Sequence, residues 1–459
     1  MIKTTVLNFS PKGDYSTTLQ SAKYLKKHFD KLEFEFFNIG QTIKSLENNP
    51  ALINNVIKSI KESELIIWLY PVYTFLPPYQ LIRFIDLIYD RNLTESFSYK
   101  YGVQLSTSMH FFDNTAYNYL WNIIEDLQMK HIPGHTGFMT GLDSKQGRRL
   151  LIDFGKELVF SVENAIVFPP KFLNKTQGVK SGTLLPEPIT VKQTAKSKEY
   201  KIILLTEHSA PESNLSKMIE TFTNLMPYHI EKHYIDDINL TGGCLGCLNC
   251  TFEGKCIYKD NFDVFHKTEL LGANLTIYAA QIKRHWFKSK WKCYDDRLFY
   301  NGHRISSMGK SVGYIISGNL SNEANLRDVL EARSEVADTY LVGITSDETP
   351  EDTYNIICDM VKRSVWALEN KPLKNRSFLG VGGMKIFRDL IFVMRGLMKE
   401  DHKFYKKHKL YDFPHLQKKM IYTGILSGLL MSFKNVRKKI LPQLKEVMVK
   451  KYEKIIEKY

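Results

Sequence analysis

The sequence is poor in cysteine, in long apolar runs and in targeting signals. Only six of its 459 residues are cysteine. No apolar window approaches the roughly 20 residues needed to span a bilayer. The opening stretch, MIKTTVLNFS, has neither the apolar core nor the small-residue cleavage site of a signal peptide. We therefore expect a cytoplasmic protein, in which clustered cysteines indicate metal ligands or redox groups rather than disulfides.

Several catalytic signatures are also missing. The chain has no Walker lysine box, no G-x-G-x-x-G fingerprint and no H-E-x-x-H pair. These absences argue against P-loop nucleotide hydrolysis and zinc-peptidase chemistry.

Positive charge is in excess, with 63 Lys and Arg against 49 Asp and Glu, a net charge of +14. Much of this excess lies between Lys434 and Tyr459, which hold nine Lys and Arg and three Glu. Since no zinc finger, RNA-recognition signature or recognition-helix pattern accompanies it, we expect no nucleic-acid partner. An anionic lipid surface or an anionic cofactor remains open.

Apolar strand patterns alternate with amphipathic helix patterns along the first part of the chain. IKTTVLNFS and LIIWLYPVY are typical strands, and STTLQSAKYLKKHFD has helical spacing. Five such units predict one doubly wound α/β domain, with a parallel sheet covered on both faces.

The alternation stops in a stretch with four prolines and restarts near residue 200. We predict a first domain over 1–168, a linker over 169–199, a second α/β domain over 200–370, and a helical basic extension over 371–459. The halves match locally, because YQLIRFIDLI and KSKWKCYDDRL occupy the same place. This match aligns Arg83 with Lys292 and Asp86 with Asp295, and it predicts a tandem duplication.

Three loops of the first half follow strands that are central in such a sheet, where ligands bind beyond the carboxyl ends. The first loop, NFSPKGDYSTTLQ, leads into a helix N-terminus and is rich in hydroxyls, which suits a phosphate group or a simple helix cap. The second, YPVYTFLPP, is aromatic, and the third, STSMHFFDNTA, is polar. Together they suit a flat ring that carries a phosphate tail, such as FMN.

These stretches resemble a known family. FSPKGDYSTT and PVYTFLPPYQLIRFID stand where the flavodoxin-like NADPH-dependent FMN reductases have GSPR plus a Ser/Asn/Thr turn and a P-x-Y motif. Lys12 replaces the usual arginine. The second half is similar to the iron–sulfur flavoproteins of that group. The resemblance implies two tandem flavodoxin-like domains, each with a five-stranded parallel sheet of order 2-1-3-4-5, and a helical extension.

The resemblance also implies the roles of individual residues. The phosphate would be held by Ser10, Lys12, Ser16, Thr17 and Thr18. The isoalloxazine ring would be lined by Pro71, Val72, Tyr73 and Thr74, and its other edge closed by Ser106, Thr107 and Ser108.

The second half departs from the pattern at the ring position. It keeps a turn with Ser209, Ser213 and Asn214, but it has AAQIKRHWF where PVY is expected. Gln281, Lys283, Arg284 and His285 place bulk and charge there. We expect the second flavin site to be weak or lost.

Four cysteines lie in one loop, GCLGCLNCTFEGKC, as Cys244, Cys247, Cys250 and Cys256. The first two spacings are those of bacterial ferredoxins, whereas structural zinc usually takes two separated pairs. We expect a [4Fe–4S] cluster, with zinc or an empty thiol loop as alternatives. The resemblance agrees, and it adds an acidic residue after the loop, here Asp260. Cys293 and Cys358 are expected to be ordinary buried thiols.

The sequence predicts an FMN-dependent oxidoreductase that takes electrons from NAD(P)H or a ferredoxin-type carrier and passes them to a quinone, a flavin or another small acceptor. His110, near Asp113 and Glu125, is a candidate proton donor to the reduced product, or else a hydrogen-bonded loop histidine. The alternatives are a non-catalytic flavodoxin-like scaffold whose zinc or thiol loop serves binding, and a basic interaction protein with decayed flavin sites.

The C-terminal extension has helical apolar spacing with basic flanks. Gly380, Gly382 and Gly383 predict a turn before a helix that begins at Met384. We expect the extension to pack on the second domain or across the domain interface, with contact to an anionic membrane surface or a partner helix as the alternative. Assembly into a homodimer is also left open, because flavodoxin-like reductases often complete the flavin pocket by dimerising, although the second domain would serve that purpose within one chain.

Overall fold

A computed structural model describes residues 1–168, 171–172, 197–373 and 376–440. The chain forms two compact units, Met1–His402 and Lys403–Tyr459. Most of the linker predicted over 169–199 lies outside the described residues. Within them, no helix is long and apolar enough to cross a membrane.

The first sheet is parallel, with strand order β2-β1-β3-β4-β5. Its strands are β1 (Ile2–Asn8), β2 (Leu32–Phe37), β3 (Leu65–Pro71), β4 (Tyr101–Ser108) and β5 (Lys130–Phe138). Its helices are α1 (Thr17–His28), α2 (Ile39–Asn48), α3 (Pro50–Glu62), α4 (Tyr79–Asp90), α5 (Asp113–Asp126) and α6 (Lys145–Glu163). The apolar run of β3 is buried from Leu65 to Tyr70, as expected for a central strand covered on both faces.

The second sheet repeats this order as β7-β6-β8-β9-β10. Its strands are β6 (Ser197–Thr206), β7 (Tyr228–Tyr234), β8 (Leu275–Gln281), β9 (Ser311–Ser317) and β10 (Tyr340–Ser346). Its helices are α7 (Asn214–Leu225), α8 (Cys250–Glu253), α9 (Phe262–Phe265), α10 (Ser289–Arg297), α11 (Ala324–Val336) and α12 (Pro350–Asn370). The predicted fold class, two five-stranded sheets of order 2-1-3-4-5, is confirmed.

The two halves share an unusual turn after their third strands. Tyr73 and Leu76 exchange backbone hydrogen bonds of 2.8 and 3.0 Å, and Lys283 and Trp286 exchange bonds of 2.8 and 3.2 Å. In both turns the two middle residues have positive φ: 44° and 68° for Thr74 and Phe75, and 51° and 62° for Arg284 and His285.

This shared turn fixes the register between the halves. It places Asp86 opposite Asp296 and Arg83 opposite Cys293. The alignment of Asp86 with Asp295 and of Arg83 with Lys292, predicted from the sequence, was therefore wrong by one residue. The YDD run offers two adjacent aspartates, and only the backbone geometry selects between them.

The extension begins with α13 (Phe378–Val393) and α14 (Lys399–Lys407). The predicted turn at its three glycines was wrong, because Gly380, Gly382 and Gly383 all lie inside α13. A Cβ atom on Gly380 would stand 2.8 Å from the Cβ atom of Glu335, and one on Gly383 would stand 2.7 Å from Val336. These glycines allow α13 to approach α11 closely, and they do not break the helix.

The second unit is described as far as residue 440. It contains a short 3₁₀ turn at Pro414–Leu416 and the helix α15 (Lys418–Ser432). None of the residues of α15 is buried.

Candidate functional site

The candidate site lies beyond the carboxyl ends of β1, β3 and β4, which are neighbours in the first sheet. Parallel strands end at the same edge, so the three loops predicted to bind a cofactor come together there.

The loop after β1 offers open hydrogen-bond donors at a helix N-terminus. Ser16 caps α1, since its Oγ atom accepts from Leu19 N at 3.4 Å. The backbone N–H groups of Thr17 and Thr18 have no protein acceptor in the described structure. Lys12 is exposed and forms no ion pair within the described residues, whereas Ser10 is buried and accepts from Lys12 N at 3.3 Å. Free N–H groups, a helix dipole and an unpaired cation together fit a phosphate group.

The loop after β3 is held in place by the second domain. Lys292 Nζ donates to the carbonyl of Tyr73 at 2.8 Å, and the ring of Tyr73 meets that of Phe299 edge to face, with 5.7 Å between centroids. Thr74 Oγ1 reaches the carbonyl of Asp295 at 3.5 Å. Burial raises the pKa of the Tyr73 phenol well above its ordinary value. Contacts from the second domain therefore hold the turn in place. The Tyr73 phenol stays neutral at physiological pH.

The loop after β4 connects the other two. Thr107 Oγ1 lies 2.6 Å from Thr18 Oγ1 in the anion loop. Ser108, the next residue, lines a cavity beside Thr74. Ser106 is 1% exposed and its Oγ atom has no partner in the described structure, so it lies in the sheet interior rather than at the rim.

His110 stands apart from this cavity. Its Nδ1 atom lies 2.7 Å from Asp113 Oδ2, its backbone N–H donates to Ser108 Oγ at 2.9 Å, and its ring packs against Phe138. The side chain is half exposed and does not line the cavity.

A cavity of about 370 Å³ joins the first domain's loops to the second domain. This volume falls within the range of roughly 300–1,000 Å³ typical of small-molecule sites. The first domain contributes Val72, Thr74, Phe75, Ser108, Met109 and Phe111. The second domain contributes, among others, Tyr278, Asp295, Phe299, His303, Tyr314 and Arg333, and α13 adds Phe387 and Leu390. The walls are mostly apolar and include several aromatic rings. The Arg333–Asp295 pair, with contacts of 2.8 and 2.5 Å, is a charged anchor.

The corresponding edge of the second sheet is occupied by its own side chains. Arg284 makes ion pairs with Asp86 and Asp90 of the first domain. His285 lies between Asp126 and Glu323, 2.8 and 3.0 Å away. The turn that would face a ring is thus committed to holding the two domains together.

The second copy also carries a buried acid in its first loop. Glu207 is 1% exposed and accepts from Trp291 Nε1 at 2.9 Å, and burial raises the pKa of its carboxyl group. A carboxyl group in this position disfavours an anion. Sequence reasoning overlooked it, although the signal was present in the acid that directly follows a strand, in LLTEHS.

The four-cysteine loop lies on the candidate site of the first domain. A Cβ atom on Gly243 would stand 2.8 Å from the Tyr79 ring. One on Gly246, whose φ is +62°, would stand 2.9 Å from Lys12 Cε and would overlap the Tyr73 hydroxyl. The sequence could not show this contact, because the loop and the two residues that it covers are more than 170 positions apart.

The four thiols differ in exposure. Burial raises the pKa of Cys244 to about 12 and that of Cys250 to about 11, while Cys247 is exposed. Cys250 Sγ donates to the carbonyl of Phe299 at 3.2 Å. Cys256 lies beside the guanidinium group of Arg297.

The spacing of the sulfurs does not match a closed zinc site. Tetrahedral Zn–S bonds of about 2.3 Å would place the sulfurs about 3.8 Å apart. Among the described residues, no three of the loop's sulfurs lie within 4.8 Å of one another. A four-iron cluster separates its ligand sulfurs more widely, because iron and sulfide lie between them. The thiol positions thus argue against a closed zinc site, and the cluster stays a prediction.

A buried ion pair supports the loop. Arg297 donates to both carboxylate oxygens of Asp260 at 2.7 Å and to the carbonyl of Gly242 at 3.2 Å. Burial would raise the pKa of Asp260, but these hydrogen bonds and those from Thr241 lower it far below its usual range. The pair fixes both ends of the loop to α10.

The first domain is similar to a known protein family. Residues 2–141 match the model of the NADPH-dependent FMN reductase family. A search of curated proteins finds no matching sequence.

Similar folds occur among solved structures. They include the flavoenzyme NAD(P)H:(acceptor) oxidoreductase FerB from Paracoccus denitrificans, at 18% identity over 36% of this chain and 98% of that one, with a TM-score of 0.30. A WrbA-like flavodoxin from Agrobacterium tumefaciens has 12% identity over 36% and 99% of the two chains, with a TM-score of 0.26. An FMN-dependent NADH-azoreductase from Bacillus anthracis has 14% identity over 36% and 100%, also with a TM-score of 0.26. Likenesses at these scores carry no functional argument. The family match covers residues 2–141, and this part of the chain is similar to the NADPH-dependent FMN reductase family.

Proposed function

We propose that the chain is an FMN-dependent oxidoreductase that takes electrons from NAD(P)H and has one working flavin site, in the first domain. The observation that carries the proposal is the junction at Thr107 and Ser108. There an anion loop with open donors meets an aromatic cavity of about 370 Å³. A ligand that carries both a phosphate and a flat ring needs an anion loop for the phosphate and an apolar cavity for the ring, next to each other.

The protein's own contribution is position and charge. FMN, when bound, supplies the hydride and single-electron chemistry. Lys12 and the N–H groups of Thr17 and Thr18 hold the phosphate, helped by the hydroxyls of Ser10 and Ser16. Pro71, Val72, Tyr73 and Thr74 form the ring platform.

The second domain completes the site. Phe299 and Arg333 close the cavity from the other side, so a small acceptor such as a quinone or a flavin would lie between the ring platform and the second sheet. His110, hydrogen-bonded to Asp113, would serve as proton donor only if its loop turns toward the cavity.

Cys244, Cys247, Cys250 and Cys256 would hold a [4Fe–4S] cluster directly over the flavin site. The contact of Gly246 with Tyr73 and Lys12 is the reason to couple the two centres, since electron transfer requires them to be close. A ferredoxin-type carrier would then be an alternative donor to NAD(P)H.

The test is a visible spectrum of the full chain purified without oxygen, with analysis of iron, sulfide, zinc and released flavin. We expect FMN on heat denaturation, together with about four iron atoms per chain if the cluster is present. Protein that releases no FMN and binds none added to it would overturn the proposed function. FMN without iron would overturn only the cluster.

Cysteine variants separate the two centres. Cys247→Ser should lose iron and keep FMN. Cys358→Ser, which changes a half-buried cysteine in α12 outside the loop, should keep both.

A further inference from the structure

Helix α15 presents a face of large apolar side chains that stay exposed in the part of the chain that the structure describes. Ile421, Ile425 and Leu429 recur at intervals of four residues, and Tyr422, Leu426 and Leu430 lie beside them on the same half of the helix. The opposite half carries small residues, including Thr423, Gly424, Ser427 and Gly428. Leu426 and Leu429 are 60% and 62% exposed.

Such a face is unfavourable in water. Monomeric proteins seldom expose a contiguous apolar patch of this kind unless it binds something. Helix α13 of the first unit shows the contrast, because its glycine face is packed against α11.

The charge around α15 is of one sign. Lys418 and Lys419 begin the helix, and Lys434, Arg437, Lys438 and Lys439 follow it. The sequence has no acidic residue between Asp412 and Glu446. This pattern of an apolar face with lysine-rich flanks complements an anionic lipid surface.

We propose that α15 docks the chain on an anionic membrane surface. The helix lies in the plane of the interface, with its apolar face at the boundary of the acyl chains and its flanking cations among the headgroups. It does not span the bilayer, because 15 residues extend only about 22 Å, less than the roughly 30 Å of the hydrocarbon core. Docking would bring the flavoprotein to the surface from which a lipid-soluble acceptor is reached.

The test is co-sedimentation of the full chain with vesicles. We expect binding to phosphatidylcholine vesicles that contain phosphatidylglycerol, roughly tenfold weaker binding to phosphatidylcholine alone, and release by high salt. Equal binding to both vesicles, or binding to neither, would overturn the proposal.

Two variants and a control sharpen the result. The double change Ile425→Glu and Leu429→Glu should abolish binding, and Lys438→Glu with Lys439→Glu should weaken it at least about tenfold. Leu150→Glu changes a leucine on α6 that is 54% exposed, and should bind as the unchanged chain does. Retained FMN and an unchanged unfolding midpoint show that each variant is folded.

A second copy of the chain is the competing occupant of the face. Light scattering without lipid distinguishes it. If the unchanged chain dimerises, the α15 variants are monomeric, and vesicle binding does not differ between them, the apolar face is a dimer contact and the membrane proposal is wrong.

Discussion

At the scale of single residues, Lys12 is the clearest link between sequence and site. The sequence marked it as a cation in a phosphate loop. In the structure it is exposed, and among the described residues it has no ion-pair partner and lies beside open N–H groups. A lysine in place of the family's arginine preserves the positive charge, but it cannot make the bidentate hydrogen bonds of a guanidinium group to phosphate.

Lys12→Ala should weaken FMN binding by about 1.5–3 kcal/mol, or roughly 10- to 150-fold, because a charge-assisted hydrogen bond to phosphate is lost. Titration of the apoprotein with FMN, followed by flavin fluorescence, measures the change. The matched control is Lys23→Ala, on α1, whose ammonium group pairs with Asp14 at 3.7 Å. Equal affinities in the two variants would remove Lys12 from the site.

At the scale of elements, the cysteine loop reaches the first domain through two glycines, Gly243 against Tyr79 and Gly246 against Lys12 and Tyr73. Gly246 and Gly254 both have left-handed backbone, with φ of +62° and +64°. Of these two, only Gly246 is pressed against the first domain; the nearest atom to a Cβ on Gly254 is Arg304 Nη1, at 3.7 Å.

Gly246→Ala should therefore displace the loop and weaken FMN binding roughly tenfold. Gly254→Ala should also destabilise the fold, by about 1–2 kcal/mol of backbone strain, because its φ is positive too. It should leave the FMN affinity unchanged. Fluorescence titration of both variants checks this, and identical affinities would show that the loop only covers the site and does not shape it.

Helix α13 allows a second matched pair of glycines. A Cβ on Gly383 would lie 2.7–3.1 Å from Val336, Phe112 and Phe111, whereas the nearest atoms to a Cβ on Gly382 are those of Phe378, at 3.7 Å and beyond. Gly383→Val should destabilise the chain by about 1–3 kcal/mol through overpacking, and Gly382→Val by much less. Urea denaturation compares the two. If both variants lower the free energy of unfolding equally, helix propensity rather than packing causes the loss. In that case α13 does not pack tightly against α11.

At the scale of the whole molecule, the two α/β domains pack through symmetry-equivalent contacts. Asp86 Oδ2 accepts from Ser289 N, the first residue of α10, at 3.2 Å. Asp296 Oδ2 accepts from Tyr79 N, the first residue of α4, at 2.7 Å. Each aspartate thus satisfies an open N–H group at the start of a helix in the other domain. This exchange is what a twofold dimer interface would show, here within one chain.

His285 gives this interface a pH dependence. Burial would lower its pKa, but hydrogen bonds to Asp126 and Glu323 outweigh burial and raise the pKa to about 9. An unfolded histidine has a pKa of about 6.5. The stabilisation is therefore complete below about pH 6.5 and is lost as the pH rises through about 9, with a size of up to about 3 kcal/mol.

His285→Gln should flatten the loss of stability between about pH 6.5 and about pH 9. The midpoint of urea denaturation across that range measures it. His208→Gln is the control, because His208 is an exposed histidine that pairs with Asp237 within the second domain. A histidine variant that keeps the full pH dependence would show that other groups cause it.

The sequence by itself determined the two sheets, their strand order and the three loops at the first sheet edge. Periodicity and loop composition are local properties, and local spacing decides which residues form a strand and which follow it. It also predicts that the four cysteines are ligands, because their spacing favours soft-metal chemistry, and this stays a prediction. The prediction of a turn at the start of α13 was wrong. Clustered glycines usually indicate a turn, but here Gly380 and Gly383 allow α13 to pack closely against α11.

Only the tertiary structure decided how the halves pack against each other. Asp296 rather than Asp295 matches Asp86, Arg284 and His285 hold the interface, and the cysteine loop lies against Lys12 and Tyr73. Each of these contacts joins residues far apart in the chain, and local patterns carry no information on which distant surfaces will meet.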